Sequence, residues 1–297
     1  MNLGRLREAP PLFERAVTIA EEADILKDHL HSSENLVEVY SYLGSLNAAR
    51  RHAANAVRLA QDLGEADELR DALAYDAWIA HLTGNIEAAN TRFAEAERVE
   101  ASIDAANPYL TSLYGIWHAD HLRRIGNLVA AKSQVERVFE HARSEDMLDD
   151  ISQGWRLLGD IASACADHDT ARKCYAEALK LARNMSEITV LLEALLARGR
   201  WAATADAEEA RSDLDEALHY AQGGSYGLYE ADVRIGLARV KNVEGDKNGA
   251  IREAQRAQEL AAKSHYYWAE HESEALIAEI SKAIAADRIH NTQSGSK

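Results

Sequence analysis

A small residue recurs at 44, 84, 126, 166, 205 and 245, and counting back from it isolates the positions best suited to chemistry. Six residues earlier stand Glu38, Trp78, Asp120, Asp160, Gly199 and Arg239. Three residues earlier stand Ser41, His81, Arg123, Ser163, Ala202 and Asn242. The two columns are i, i+3 neighbours and so share one helical face. They are more polar and more varied than the rest of the repeating unit, as a binding surface should be. Tyr42, Tyr75, Arg124 and Arg156 sit beside them by the same count. The middle of the chain is richest, with Trp78, His81, Asp120, Arg123, Arg156 and Asp160. An aromatic plate flanked by guanidinium forks suits a peptide carboxylate, a phosphorylated group or a sugar, because the fork matches planar anions. The competing reading is a solvated polar face stitched by Asp120–Arg123 and Arg156–Asp160 pairs. Both stay open at this stage.

Other chemistry finds little support. His118 and His121 flank Asp120 on one helix, but two imidazoles alone rarely hold a metal. His118 falls on the packing face, where Asp76 stands one repeat earlier, so a buried polar pairing is the better expectation. No glycine loop precedes a Lys-Ser/Thr pair, no zinc-protease helix occurs, and no serine sits in a nucleophile elbow. Cys165 and His168 lack a positioned orienting group. No catalytic residue, metal site or cofactor is therefore expected, and the chain does not look like an enzyme.

What positions the columns is a repeat. Five residues after the small residue (which also occurs at 4) comes an alanine: Ala9, Ala49, Ala89, Ala131, Ala171, Ala210 and Ala250. Seven further on come Ala16, Ala56, Ala96, Val138, Ala178, Ala217 and Ala257. The steps run from 39 to 42 residues, a period that marks a solenoid whose units bury a core only by stacking. Gly126-Asn-Leu-Val-Ala-Ala131 is the clearest copy. Glycine after a helix accepts the left-handed conformation, and the next residue (Ser45, Asn85, Asn127, Asp167, Asp206 or Asp246) caps the following helix. Each unit is thus helix A, turn, helix B. Bulkier Phe13, Phe93, Val135, Tyr175 and Leu214 share one offset and fill the gaps between the alanines.

The copies place A and B helices at about 69–83 and 85–101, then an A helix from the Asn107-Pro108 start signal to Ile125. Further pairs fall at about 150–165 and 169–184, 187–204 and 207–222, and 226–244 and 246–263. A last A-like helix at 266–285 closes the stack. Gly223-Gly224-Ser225 is the loosest connector and the expected place for a bend. Residues 1–286 form the solenoid of about seven repeats, and the polar tail 287–297 is expected to be disordered. The chain opens in mid-repeat on a bare B helix. That favours a segment cut from a longer protein over an atypical cap built on Pro10-Pro11.

This pattern resembles the tetratricopeptide repeat, over residues 4–286, in a form about 40 residues long rather than 34 and without the usual closing proline. It is similar to the sensor arms of bacterial STAND-class signalling ATPases, including maltotriose-responsive activators, and to kinesin light chains. Leu12-Phe-Glu-Arg-Ala-Val-Thr-Ile-Ala-Glu-Glu22 is typical of the bacterial group. The resemblance implies an all-α, right-handed superhelical solenoid of antiparallel helix pairs, with A helices lining a concave groove. It implies a groove made of Glu38, Tyr42, Tyr75, Trp78, His81, Asp120, Arg123, Arg124, Arg156, Asp160, Arg239 and Asn242. The expected function is a scaffold that binds a protein, a peptide or a small effector, as the sensor or regulatory arm of a larger signalling protein. The alternative is a free-standing adaptor that joins two proteins.

Composition bounds the partners. The 297 residues carry a net charge of −16 and a pI near 5.2, which repels phosphate backbones and argues against direct nucleic-acid binding. Arg50-Arg51 and Arg123-Arg124 are local basic exceptions. Hydrophobic residues make up 47%, mostly alanine and leucine, with three prolines, which favours helices. Two cysteines, Cys165 and Cys174, make no disulfide framework. No run of apolar residues is long enough for a membrane span, and without a leader at the start a cytoplasmic location is expected. A solenoid with an uncovered end also leads us to expect an end-to-end homodimer.

Overall fold

Short turns and their capping side chains divide the chain into fourteen α-helices, with no strand among the described residues. The computed structural model describes residues 6–294, with side chains as far as 287. A 3-10 turn, Leu6–Glu8, leads into α1 (Ala9–Glu22). The helix pairs follow: α2 (Leu26–Tyr42) with α3 (Leu46–Leu63), α4 (Ala66–Leu82) with α5 (Ile86–Ile103), and α6 (Ser112–Arg124) with α7 (Leu128–Ser144). Then come α8 (Leu148–Ala164) with α9 (His168–Ala182), α10 (Ile188–Ala202) with α11 (Ala207–Gly224), and α12 (Gly227–Val243) with α13 (Lys247–Ser264). The last helix is α14 (Tyr267–Ser294). Even-numbered helices are the A helices, and each from α2 to α12 packs chiefly on the B helix that follows it. The result is an all-α solenoid. None of its described helices is long and apolar enough to cross a membrane.

The alanine columns lie where two helices approach closely. Ala49, Ala89, Ala131, Ala171, Ala210 and Ala250 are all wholly buried, as are Ala56, Ala96, Ala178, Ala217 and Ala257, with Val138 at 1% exposure. Ala9 and Ala16 are only half-buried, because α1 is the first described helix and no other described helix packs on its outer side. Leu12 and Ile19 on that side are exposed.

Turn chemistry follows the expected pattern with informative departures. Gly44, Gly84, Gly126 and Gly245 take positive φ, and Ala166 does the same at φ 58° without being glycine. Asn85, Asn127, Asp167, Asp206 and Asp246 each accept a hydrogen bond from a main-chain N–H of the helix they start. Ser45 does not. The fifth turn holds four residues, 203–206, where the others hold three, and Ala205 is not left-handed there.

Three expectations need correcting. Asn107-Pro108 does not start a helix. The Asp104 carboxylate accepts from Ala106 N at 2.9 Å and from Asn107 Nδ2 at 2.8 Å, tying this segment to the end of α5. The next helix begins only at Ser112. Gly223-Gly224-Ser225 is not a loose bend, since α11 runs through Gly224, which is buried against the Tyr226 ring, and Ser225 makes a compact left-handed cap. Of the tail expected at 287–297, residues 295–297 lie outside the described residues, while α14 continues through 294.

Candidate binding cavity

The solenoid curls until its early turns touch its late helices. A Cβ at Gly84 would run into the Tyr267 ring at the start of α14, and one at Gly44 would meet Ser264 at the end of α13. Gly227 Cα lies 3.7 Å from that same Cβ position, so two glycines let backbone approach backbone. Tyr42 on α2 packs edge-on to Tyr226 at 5.9 Å and stacks on Tyr229 at 6.1 Å. Arg124 on α6 lies 5.4 Å over the Trp268 ring of α14. The A helices therefore wrap almost into a ring.

Inside lies a cavity of about 610 Å³, lined mainly by A-helix side chains with Tyr175 from α9. Its apolar part is a pair of indoles: Trp78 and Trp117 stack at 4.3 Å with planes 1° apart. Its polar part sets both signs side by side on each of α6, α8, α10 and α12. Asp120 accepts from Arg123 at 2.6 Å and from Arg124 at 3.1 Å. Arg156 meets Asp160 at 3.3 Å on its own helix and Glu193 at 3.3 Å on α10. Tyr229 OH donates to Glu193 at 2.5 Å, carrying the chain of contacts to α12. Arg200 pairs with Glu272, which Arg239 also reaches at 2.7 Å. Tyr266 OH donates to Asp232 at 2.9 Å.

Burial and pairing set the protonation states. Burial pushes the Asp120 carboxyl up, but Arg123 and Arg124 outweigh it and hold Asp120 well below the usual carboxylate range. Glu272 behaves alike: burial opposes ionisation, yet Arg200 and Arg239 hold it down to about 2. Glu38, Asp150 and Asp232 instead move up, chiefly through burial. Burial also raises the Tyr42, Tyr229 and Tyr266 phenols, which stay protonated donors. Nine carboxyl groups and five guanidiniums line the cavity. The carboxyl groups outnumber the guanidiniums, and the lining holds both signs at close range.

Nine of the sequence-predicted groove residues line this cavity: Glu38, Tyr42, Trp78, Asp120, Arg123, Arg124, Arg156, Asp160 and Arg239. Three do not. Tyr75 stands behind the wall, edge-on to Trp117 at 5.2 Å and to Tyr114 at 5.9 Å. His81 is 2% exposed, with its Nδ1 3.1 Å from the His121 Nδ1, and burial lowers its pKa. His121 is itself buried and bonded to Asn90 at 3.0 Å, so it packs inside rather than pairing outward with His118. Asn242 is half-buried and outside the lining. The Arg123-Arg124 spot is no exposed basic patch, because both side chains turn in to Asp120.

Sequence counting missed Trp117, Glu193, Arg200, Tyr229, Asp232 and Glu272. Although the fifth turn holds one more non-helical residue, its path is one residue tighter: Asp206 N bonds back to Ala202 O, four residues away, where Asp167 N bonds to Ala162 O, five away, so Gly199 faces Leu214 of α11 while Arg200 reaches the cavity. Glu272 has no following turn to count from. A count from each helix's own stripe would have exposed Arg200.

No family model matches the chain, and no curated protein matches it in sequence. Its fold is similar to a Rap protein complexed with competence and sporulation factor, at TM-score 0.57 and 12% identity, over 95% of this chain and 87% of that one. It is also similar to a STAND signal-transduction ATPase with a tetratricopeptide repeat sensor from Pyrococcus horikoshii, at TM-score 0.56 and 16% identity. That match takes in 98% of this chain but only 47% of the ATPase. The fold is thus of the tetratricopeptide type.

Proposed function

We propose that this chain is a recognition scaffold whose ring of A helices receives a protein or peptide segment. The observation that carries this reading is the cavity itself: stacked indoles beside arginines and carboxylates paired within and between successive helices. Its volume falls within the roughly 300–1,000 Å³ of ligand pockets. A peptide presents both charge signs and apolar side chains, and so offers replacements for each broken internal pair. A dianionic phosphate offers only one sign, and each arginine it gripped would first have to leave a carboxylate. The Rap neighbour, solved with competence and sporulation factor, supports a ligand-receiving role for this fold.

Peptides selected by display on the wild-type protein provide the test. Arg156→Gln with Glu193→Gln removes both partners of one ring pair, a change that leaves little uncompensated charge. Selected peptides should lose affinity for this variant while its helical content is unchanged. Equal affinity would defeat the cavity assignment.

Within this reading, the chain serves as a sensor or regulatory arm whose occupancy biases a larger switch. The likeness to the sensor-bearing ATPase supports that role. A free-standing adaptor is the second reading, supported by the Rap match, in which the repeats account for most of the neighbour's length. The coding sequence ahead of Met1 separates the two: a phosphate-binding loop there supports the arm, and a stop codon supports the adaptor.

A further inference from the structure

Outside the cavity, α2 and α4 bring together a group of unlike side chains. His31 and Glu34 share one face of α2, three residues apart, and Glu68 stands opposite in the first turn of α4. His31 Nε2 lies 2.9 Å from Glu68 Oε2. One ligand atom from each of the three lies within 4.8 Å of the other two. Glu34 is 8% exposed, and its Oε1 is buried with no hydrogen-bond partner. A buried carboxyl with an unpartnered oxygen, grouped with an imidazole and a second carboxylate, is costly to ionise unless a cation joins it.

The neighbouring charges are otherwise committed. Asp71, three residues after Glu68, is held by Arg70 at 2.6 Å. Lys27 bridges Glu65 at 2.7 Å and Glu68 at 2.8 Å, from an exposed side chain that can keep Glu65 and release Glu68. Neither reaches Glu34.

We propose that His31, Glu34 and Glu68 bind one divalent transition-metal ion of the zinc class, which ties α2 to α4. An imidazole with two carboxylates suits zinc, whereas magnesium and calcium favour all-oxygen sets. Tetrahedral donors around zinc stand about 3.3 Å apart, given metal–ligand distances of about 2.0–2.1 Å. The observed spacing closes to that by side-chain rotation, with water in the fourth position. Glu34 continues the α2 stripe that carries Glu38 into the cavity, and Glu68 continues the α4 stripe of Tyr75, which backs the cavity wall. The ion would therefore brace two of the helices that form its wall.

The test uses untagged, chelator-stripped full chain titrated with Co²⁺, whose visible absorption reports an imidazole–carboxylate site, and then with Zn²⁺. One equivalent of Co²⁺ should give ligand-field bands that Zn²⁺ removes, and one equivalent of Zn²⁺ should raise the unfolding midpoint. His31→Ala and Glu34→Gln should each weaken binding by more than the roughly 10–100-fold that loss of an outer partner costs. His168→Ala, on the far side of the solenoid, should bind as wild type. His31 is largely exposed and its replacement leaves the core intact, so it carries the test should Glu34→Gln misfold. No saturable binding by wild type, or binding unchanged in His31→Ala, overturns the proposal.

Discussion

The indole Nε1–H of Trp268 donates to the main-chain carbonyl of His81 at 2.9 Å, joining residues 187 apart in the chain. That carbonyl lies in the last turn of α4, where it also accepts from Gly84 N at 3.1 Å, so the indole supplies a second donor from across the ring. One side chain from the last helix thus caps the second A helix and closes the ring. Trp268→Phe keeps an aromatic ring but removes the donor, and should cost about 1 kcal/mol. Amide exchange should quicken at the end of α4 and the start of α14, but not in α8. Uniform exchange across the three would mean that the bond does not hold the ring shut.

Gly84 and Gly126 have the same left-handed backbone but different surroundings. A Cβ on Gly84 meets the Tyr267 ring, whereas one on Gly126 meets nothing. Both alanine variants should lose roughly 1 kcal/mol from the backbone alone. Gly84→Ala should lose a further 1–3 kcal/mol or so from overpacking. Chemical denaturation of the two, side by side, isolates the ring contact. Equal losses would show that α14 does not press on this turn.

The contrast between these glycines shows what was legible in the sequence. The turn residue and the alanine columns recur because every copy meets the same local demand, a left-handed cap and a close helix approach. Ala89 and Ala131 are buried for that reason. Ring closure has no such signature. It arises from a small rotation per unit summed over many units, and it brings Gly84 to Tyr267 without any shared spacing. The cavity residues were found where the copies keep register, as at Asp120 and Asp160. They were missed where the register slips, as at Arg200, or where the last helix has no turn after it, as at Glu272. His81 departs from Arg123 and Ser163 at the same offset, which line the cavity, because its ring turns toward His121, a partner found only by stacking α4 on α6.

Ala166 occupies a turn position at φ 58°, where the other well-formed copies have glycine. An L-residue pays roughly 1–2 kcal/mol there, part of which glycine returns through its looser unfolded chain. The Ala166 side chain is exposed, so its removal loses no packing. Ala166→Gly should therefore stabilise the protein by roughly 0.5–1 kcal/mol, read as a higher denaturation midpoint. A lower midpoint would show that the turn is not left-handed in solution.

Asp120 is the anion between Arg123 and Arg124, and they hold its carboxyl well below the usual carboxylate range despite burial. Asp120→Asn leaves two guanidiniums turned inward without that charge, and should cost roughly 3–5 kcal/mol. The sign of the pH dependence follows from the lowered value. Asp120 contributes its full stability above the unfolded pKa near 3.8 and loses it as pH falls through the lower folded value. The gap in unfolding free energy between wild type and Asp120→Asn should hold steady at neutral pH and shrink below about pH 4. Denaturant unfolding of both proteins across an acid series measures that gap. A gap that stays constant to low pH, or widens, would mean that Asp120 is not the counter-ion of these arginines and that the chain of ion pairs around the cavity is broken at α6.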